Sequence, residues 1–195
     1  MNNNLKKLVN SLTDLPEEQV SVFLSMTKSA FLNKGTLFIQ EGQIPKKLAY
    51  VNNGLFRYYY TDRKGNEFTK GFFPKNTFLS AYSAMIQGKP SYFAIEALED
   101  AHVLVFSYED WRNLLPKHIG WHKLLIAILE KAFIKKETRE RELLLFDAEK
   151  RYTLFLEEFP GLDHRVKQHH VASYLGITPV ALSRIRRKMG LVNIG

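Results

Sequence analysis

The hydrophobic rhythm of this sequence changes twice, near Gly35 and near Trp111, and those switches limit the folds open to it. Between Gly35 and Ser107 the chain is a series of short β-rich runs, at residues 36–40, 48–51, 55–61, 67–73, 92–98 and 103–107. Gly42, Asn52-Asn53-Gly54, Lys64-Gly65-Asn66, Pro74-Lys75-Asn76 and Gly88-Lys89-Pro90 punctuate them, each a cluster of turn-forming residues. Several short strands at regular spacing imply a β-sandwich or barrel of the jelly-roll type, whose paired sheets protect most strand edges. Beyond Trp111 the pattern becomes helical. Trp121, Leu124, Leu125, Ile128, Leu129, Ala132 and Phe133 recur three and four apart with few breakers before Phe146, which predicts one helix of about six or seven turns. Its apolar half is wide enough to pack on the barrel and on a second copy of itself. Residues 135–142 (KKETRERE) are charged throughout and read as a solvated face rich in local ion pairs.

The flanks are helical too. Residues 5–33 carry leucines at helical spacing, interrupted at Leu15-Pro16, where Thr13 or Asp14 is placed to cap a helix with Glu17 and Glu18 in its first turn. Asp147 is placed as the N-cap of a further helix, with Glu149 in its first turn and Tyr152, Phe155, Leu156 and Phe159 along one side, ended by Pro160-Gly161. Phe146 and Asp147 form the expected hinge. The sequence holds no internal repeat and no low-complexity tract.

Composition becomes informative once charge is located. With 45% hydrophobic and 25% charged residues in 195, the chain is long and apolar enough to bury a core. Of its net charge of +8, six units lie in residues 164–195, which hold six Lys or Arg and no acid. A basic terminal module on a nearly neutral body points to a polyanionic partner, nucleic acid ahead of membrane, because no lipid-inserting apolar face accompanies it. The absence of cysteine excludes disulfides, thiol nucleophiles and Cys-ligated zinc or iron–sulfur centres. Without a signal-peptide pattern or an apolar run of about 18 residues, a cytoplasmic location and no membrane partner are expected.

Residues 168–188 read as helix, tight turn, helix. Ala172 lets two helices cross closely, Gly176 supplies the turn, and Thr178 caps a second helix that starts with Pro179 at its first position. On a helical wheel Leu182, Ile185 and Met189 fall together, facing inward, and Val180, Ser183, Arg184 and Arg187 fall opposite. Two guanidiniums, a hydroxyl and a small apolar group are what major-groove reading needs: Arg forks onto guanine O6 and N7, Ser serves either edge, and an apolar group meets a thymine methyl. Arg165, Lys167, Arg186 and Lys188 flank that face and suit phosphates, which set register and contribute salt-dependent affinity. His169 and His170 open the motif and are expected to meet phosphate or solvent.

On these residues the chain resembles the Crp/Fnr family of transcription regulators over essentially its whole length. The matching barrel stretches are residues 34–42 (KGTLFIQEG), 49–57 (AYVNNGLFR) and 62–67 (DRKGNE), with glycines at strand-joining turns; the more specific ones are 148–152 (AEKRY), 172–179 (ASYLGITP) and 182–186 (LSRIR). The resemblance implies an α+β fold: an N-terminal double-stranded β-helix or jelly-roll of the cyclic-nucleotide-binding type, a long dimerisation helix, and a C-terminal helix-turn-helix of winged-helix character. The corresponding division is 1–115 β-roll, 116–146 dimerisation helix and 147–195 DNA-binding domain. It further implies a homodimer on a near-palindromic double-stranded DNA site, with RNA polymerase as a further partner. Arg184 matches the family's base-contacting arginine, and Thr178 falls within the same DNA-binding motif. Two departures stand out: Val180 occupies a place where many members carry glutamate, and the chain ends at Gly195 soon after the recognition helix, so no complete β-wing is expected in this segment.

The effector region also departs from the family. Members that bind cyclic nucleotides carry a Gly-Glu pair for the ribose and, some ten residues on, an Arg followed by Ser or Thr for the phosphate. Here the equivalent stretches are Phe78-Leu79-Ser80-Ala81-Tyr82-Ser83 and Pro90-Ser91-Tyr92-Phe93-Ala94, without pair or arginine. A buried phosphate would lack its counter-charge, so tight cyclic-nucleotide binding is not expected. Phe78, Ser80, Tyr82, Met85, Ser91, Tyr92 and Phe93 are the candidate lining for another small-molecule effector, against the plainer reading as core aromatics. No cofactor is expected. His118 and His122, four apart, lack a third ligand nearby in sequence, and no metal site is expected. A cupin-type enzyme would need several histidines and a carboxylate in its strands, whereas this barrel region holds only His102; the chain is not expected to be an enzyme. The alternative to DNA is a ligand-binding module that regulates a partner protein.

Overall fold

The structure is a computed structural model and describes residues 3–191. Its contacts divide the chain into two units, Met1–Tyr60 with Gly71–Ala132, and Thr61–Lys70 with Phe133–Gly195. The expectation about a β-wing after the recognition helix falls largely on residues 192–195, outside the described residues.

The first unit is a β-roll of two four-stranded sheets. One has the order β1 (Lys28–Leu32), β8 (Ala101–Ser107), β3 (Lys47–Asn53), β6 (Phe78–Leu79); the other has β2 (Leu37–Ile39), β7 (Ala94–Ala97), β4 (Leu55–Thr61), β5 (Glu67–Pro74). The two-residue side-chain period decides where each strand buries its residues. Along β3, Ala49 and Val51 point into the roll, among Phe38, Ile39, Phe56, Tyr58, Leu79, Phe93 and Ile95. Leu48 and Tyr50 point the other way, and β8 repeats the division with Val103 inside and Leu104 and Phe106 outside. The outer face is covered by α1 (Asn3–Leu12), α2 (Glu17–Met26), α4 (Tyr108–Leu114) and the first turns of α5 (Ile119–Leu145), with Phe23, Phe106, Trp111 and Trp121 packed edge to face. A sheet buried on both faces explains why β3 shows four consecutive buried residues instead of alternation.

Gly54 joins β3 to β4 at φ +116°, and a Cβ there would sit 2.5 Å from the Ala101 Cβ. Only glycine fits, by backbone and by space.

Three local expectations are corrected. Residues 28–32, expected to be helical, form β1 along the edge of β8, with Ser29 opposite Leu104; long-range strand pairing outweighs leucine spacing. Neither Thr13 nor Asp14 caps α2, whose cap position is Pro16; the Thr13 hydroxyl instead donates to the Gly120 carbonyl at 3.1 Å. A short helix, α3 (Tyr82–Gln87), ended by left-handed Gly88, lies where no element was expected.

The second unit contains the rest of α5, then α6 (Ala148–Glu158), α7 (Leu162–Arg165), α8 (Gln168–Leu175) and α9 (Pro179–Lys188). Tyr152, Phe155, Phe159, Val171, Ala172, Tyr174, Leu175 and Leu182 form its core. Asp147 caps α6 by accepting the Lys150 N–H at 2.8 Å, as its position predicted. The charged run 135–142 is not simply a solvated face. Lys135 pairs with Glu158 at 2.9 Å, and Arg139, one turn on, lies 3.9 Å from the ring centre of Tyr174. Side chains four apart share a helix face, and this one is tied to α6 and α8.

Candidate nucleic-acid interface

The geometry of the motif follows from its punctuation. Gly176 ends α8 in the left-handed conformation, φ +67°, and the Thr178 side chain accepts the Ala181 N–H at 3.2 Å to start α9. Pro179 takes the first helical position, where its missing N–H costs nothing. Ala172 and Leu182 are buried where the two helices meet.

That docking leaves one face of α9 in solvent. Val180, Ser183, Arg184 and Arg187 are all exposed, and neither arginine forms an ion pair among the described residues. Arg165, at the end of α7, and Lys167, at the cap position of α8, are exposed as well, as is Thr178. His169 is exposed, whereas His170 is buried beside it with ring centres 4.0 Å apart, so only the first of the pair is available to an incoming phosphate.

Two flanking cations are occupied. Arg186 is 12% exposed and donates to the Tyr152 hydroxyl at 2.9 Å and to the Asp163 carboxylate at 3.1 Å. It is a strut holding α9 to α6 and α7, which corrects its placement among the phosphate contacts. Lys188 remains exposed but is hydrogen-bonded to Glu149, which raises its pKa. Sequence reasoning missed Asp163, 6% exposed, although one signal was present: it is the last acid in the chain, embedded in a basic segment. A lone carboxylate among cations is the natural partner of one of them. Arg139 gave no comparable signal, because its partner Tyr174 is distant in sequence.

The candidate effector residues fall into separate groups and not into one lining. Phe78, Tyr82 and Met85 pack on the outer cluster of the roll, Phe93 lies in the inner one, and Tyr92 is 79% exposed. Within the roll Tyr58 stacks between Phe73 and Phe93, at 3.9 and 5.3 Å between ring centres, and accepts the Ser80 N–H at 2.9 Å. Burial pushes the Tyr58 phenol well above its ordinary pKa. Ser91 is buried, and its hydroxyl turns to the Phe93 carbonyl at 2.7 Å. The buried arginine of the roll, Arg57, is 2.7 Å from the Glu96 carboxylate. Its charge is balanced from within. The described residues hold no group of three or more potential metal ligands; the His118 Nδ1 accepts the Gly120 N–H at 3.0 Å.

Residues 30–118 match the family model of the cyclic nucleotide-binding domain. Solved structures of Crp/Fnr-type regulators share the fold across both units. The c-di-GMP-responsive global regulator CLP of Xanthomonas campestris is 17% identical, with 90% of this chain and 92% of that one covered at a TM-score of 0.73. FixK2 of Bradyrhizobium japonicum is 17% identical over 87% and 88%, also at 0.73. A Crp/Fnr-family protein of Eubacterium rectale is 17% identical over 93% and 88%, at 0.74. No curated protein sequence matches the chain.

Proposed function

We propose that this chain, a cyclic-nucleotide-binding-type β-roll joined to a helix-turn-helix in the Crp/Fnr fold, is a sequence-specific transcription regulator that binds near-palindromic double-stranded DNA as a homodimer. The observation that carries the reading is the exposed face of α9, where Arg184 and Arg187 have no carboxylate partner among the described residues while Arg186, between them in sequence, is anchored inward. Base reading falls to Arg184, Arg187, Ser183 and Val180, and phosphate contact to Arg165, Lys167, His169 and the Thr178 turn.

The dimer forms along α5. Ile126, Leu129 and Phe133 repeat at helical spacing and are 54, 39 and 64% exposed, an apolar stripe that a second α5 would cover. Two helix-turn-helix units joined through it would meet DNA one turn apart, roughly 34 Å. The effector is not a cyclic nucleotide: the roll lacks the arginine a phosphate needs, and Arg57 is neutralised by Glu96. RNA polymerase is the further partner, and the protein works in the cytoplasm; no helix among the described residues is long and apolar enough to cross a membrane.

Charge reversal of the reading face separates this function from regulation of a partner protein. Arg184→Glu with Arg187→Glu is expected to abolish DNA binding in fluorescence anisotropy while sedimentation still reports a dimer. Retained sequence-specific binding would refute the assignment.

A further inference from the structure

The second unit includes ten residues that lie far from it in sequence, Thr61–Lys70, the tip of the β4–β5 hairpin. Strand β5 is the edge of its sheet, and an edge strand presents unpaired N–H and C=O groups. One side chain of α8 satisfies both kinds at once. The Ser173 hydroxyl accepts the Thr69 N–H at 2.8 Å and donates to the Glu67 carbonyl at 3.0 Å. Residues two apart in a strand point their backbone groups to the same edge, so a single hydroxyl, donor and acceptor together, substitutes for a neighbouring strand. Thr69 is buried, at 6% exposure.

Resting on the DNA-binding reading above, we infer that Ser173 is a positioning residue for DNA recognition, clasping the hairpin tip of its own unit so that α8 is held in one orientation against it. It touches no base. Its neighbour Tyr174 is fixed by Arg139 on its ring and by Glu158 on its hydroxyl, at 3.2 Å, so α8 is held at adjacent residues from two directions. Gly176 and the Thr178 cap then carry that orientation into α9. The clasp leaves Val180, Ser183, Arg184 and Arg187 exposed, so it orients the reading face and does not cover it. A dimer reading both half-sites at once depends on an ordered reading helix, because a loosely held one loses conformational entropy on binding.

The test compares the wild-type protein with Ser173→Ala and Ser173→Thr, the latter keeping the hydroxyl. Exchange of the Thr69 amide, followed by NMR, reads the clasp itself; anisotropy on the selected operator and on random duplex reads its consequence. Ser173→Ala is expected to lose Thr69 protection, keep its dimer, and bind operator roughly fivefold more weakly, in line with two lost hydrogen bonds, with random-duplex binding unchanged. Ser173→Thr is expected to restore both readouts. An unprotected Thr69 amide in the wild type, or unchanged operator affinity in Ser173→Ala once protection is lost, would overturn the inference. Failure of the wild type to select any operator would refute the DNA-binding reading, and the Thr69 exchange would still decide whether the clasp forms.

Discussion

At the residue scale, α9 uses three arginines for two different tasks, and their environments separate them. Arg184 and Arg187 face solvent; Arg186 sits in a buried clasp with Asp163 and Tyr152. Arg184→Ala is expected to cost about 1–3 kcal/mol of operator binding and to relax specificity at one base pair, measured by anisotropy on single-substituted operators. Asp163→Ala acts on stability instead. Removing one member of a buried pair strands the other charge, and a loss of about 3 kcal/mol in chemical denaturation is expected. Gly176→Ala forces a left-handed conformation on a residue with a Cβ and brings that atom to 3.4 Å from Leu143; a loss of about 1–2 kcal/mol follows. Unchanged denaturation midpoints in these two variants would contradict the roles assigned to Asp163 and Gly176.

At the element scale, what was legible in the sequence depended on the range of the interactions that decide each element. The helix-turn-helix is governed by local chemistry, Gly176, Thr178 and Pro179, and was readable to within a residue. The Asp147 cap was readable for the same reason. Strand β1 was not, because its pairing partner β8 lies some seventy residues away in sequence, as Ser29 opposite Leu104 shows. The helical face through Lys135 and Arg139 was misread as solvated, since Glu158 and Tyr174 reach it only through the fold. Helix α5 also carries the proposed dimer seam. Ile126→Glu with Leu129→Glu places charge in that stripe, and sedimentation is expected to report monomers with unaltered helical circular dichroism. A stable dimer in this variant would move the interface elsewhere.

At the scale of the whole molecule, the roll has the architecture of a cyclic-nucleotide-binding domain and balances its interior from within. Tyr58 stacks between Phe73 and Phe93, the Ser91 hydroxyl closes on its own turn, and Arg57 is paired with Glu96. The missing arginine was visible in the sequence, but the dispersal of Phe78, Tyr82, Met85 and Tyr92 away from the inner cluster was not, since strand and helix faces are set by pairings distant in the chain. Isothermal titration with cyclic AMP and cyclic GMP is expected to show no binding; micromolar affinity for either would contradict this account of the roll. Whether two copies read DNA sequence through α9 is decided by selection of bound sequences from random duplex DNA near physiological salt, because that salt suppresses non-specific phosphate binding. Enrichment of a near-palindrome with half-sites about one helical turn apart is expected. Recovery of unenriched sequence, or of a single asymmetric half-site, would contradict it.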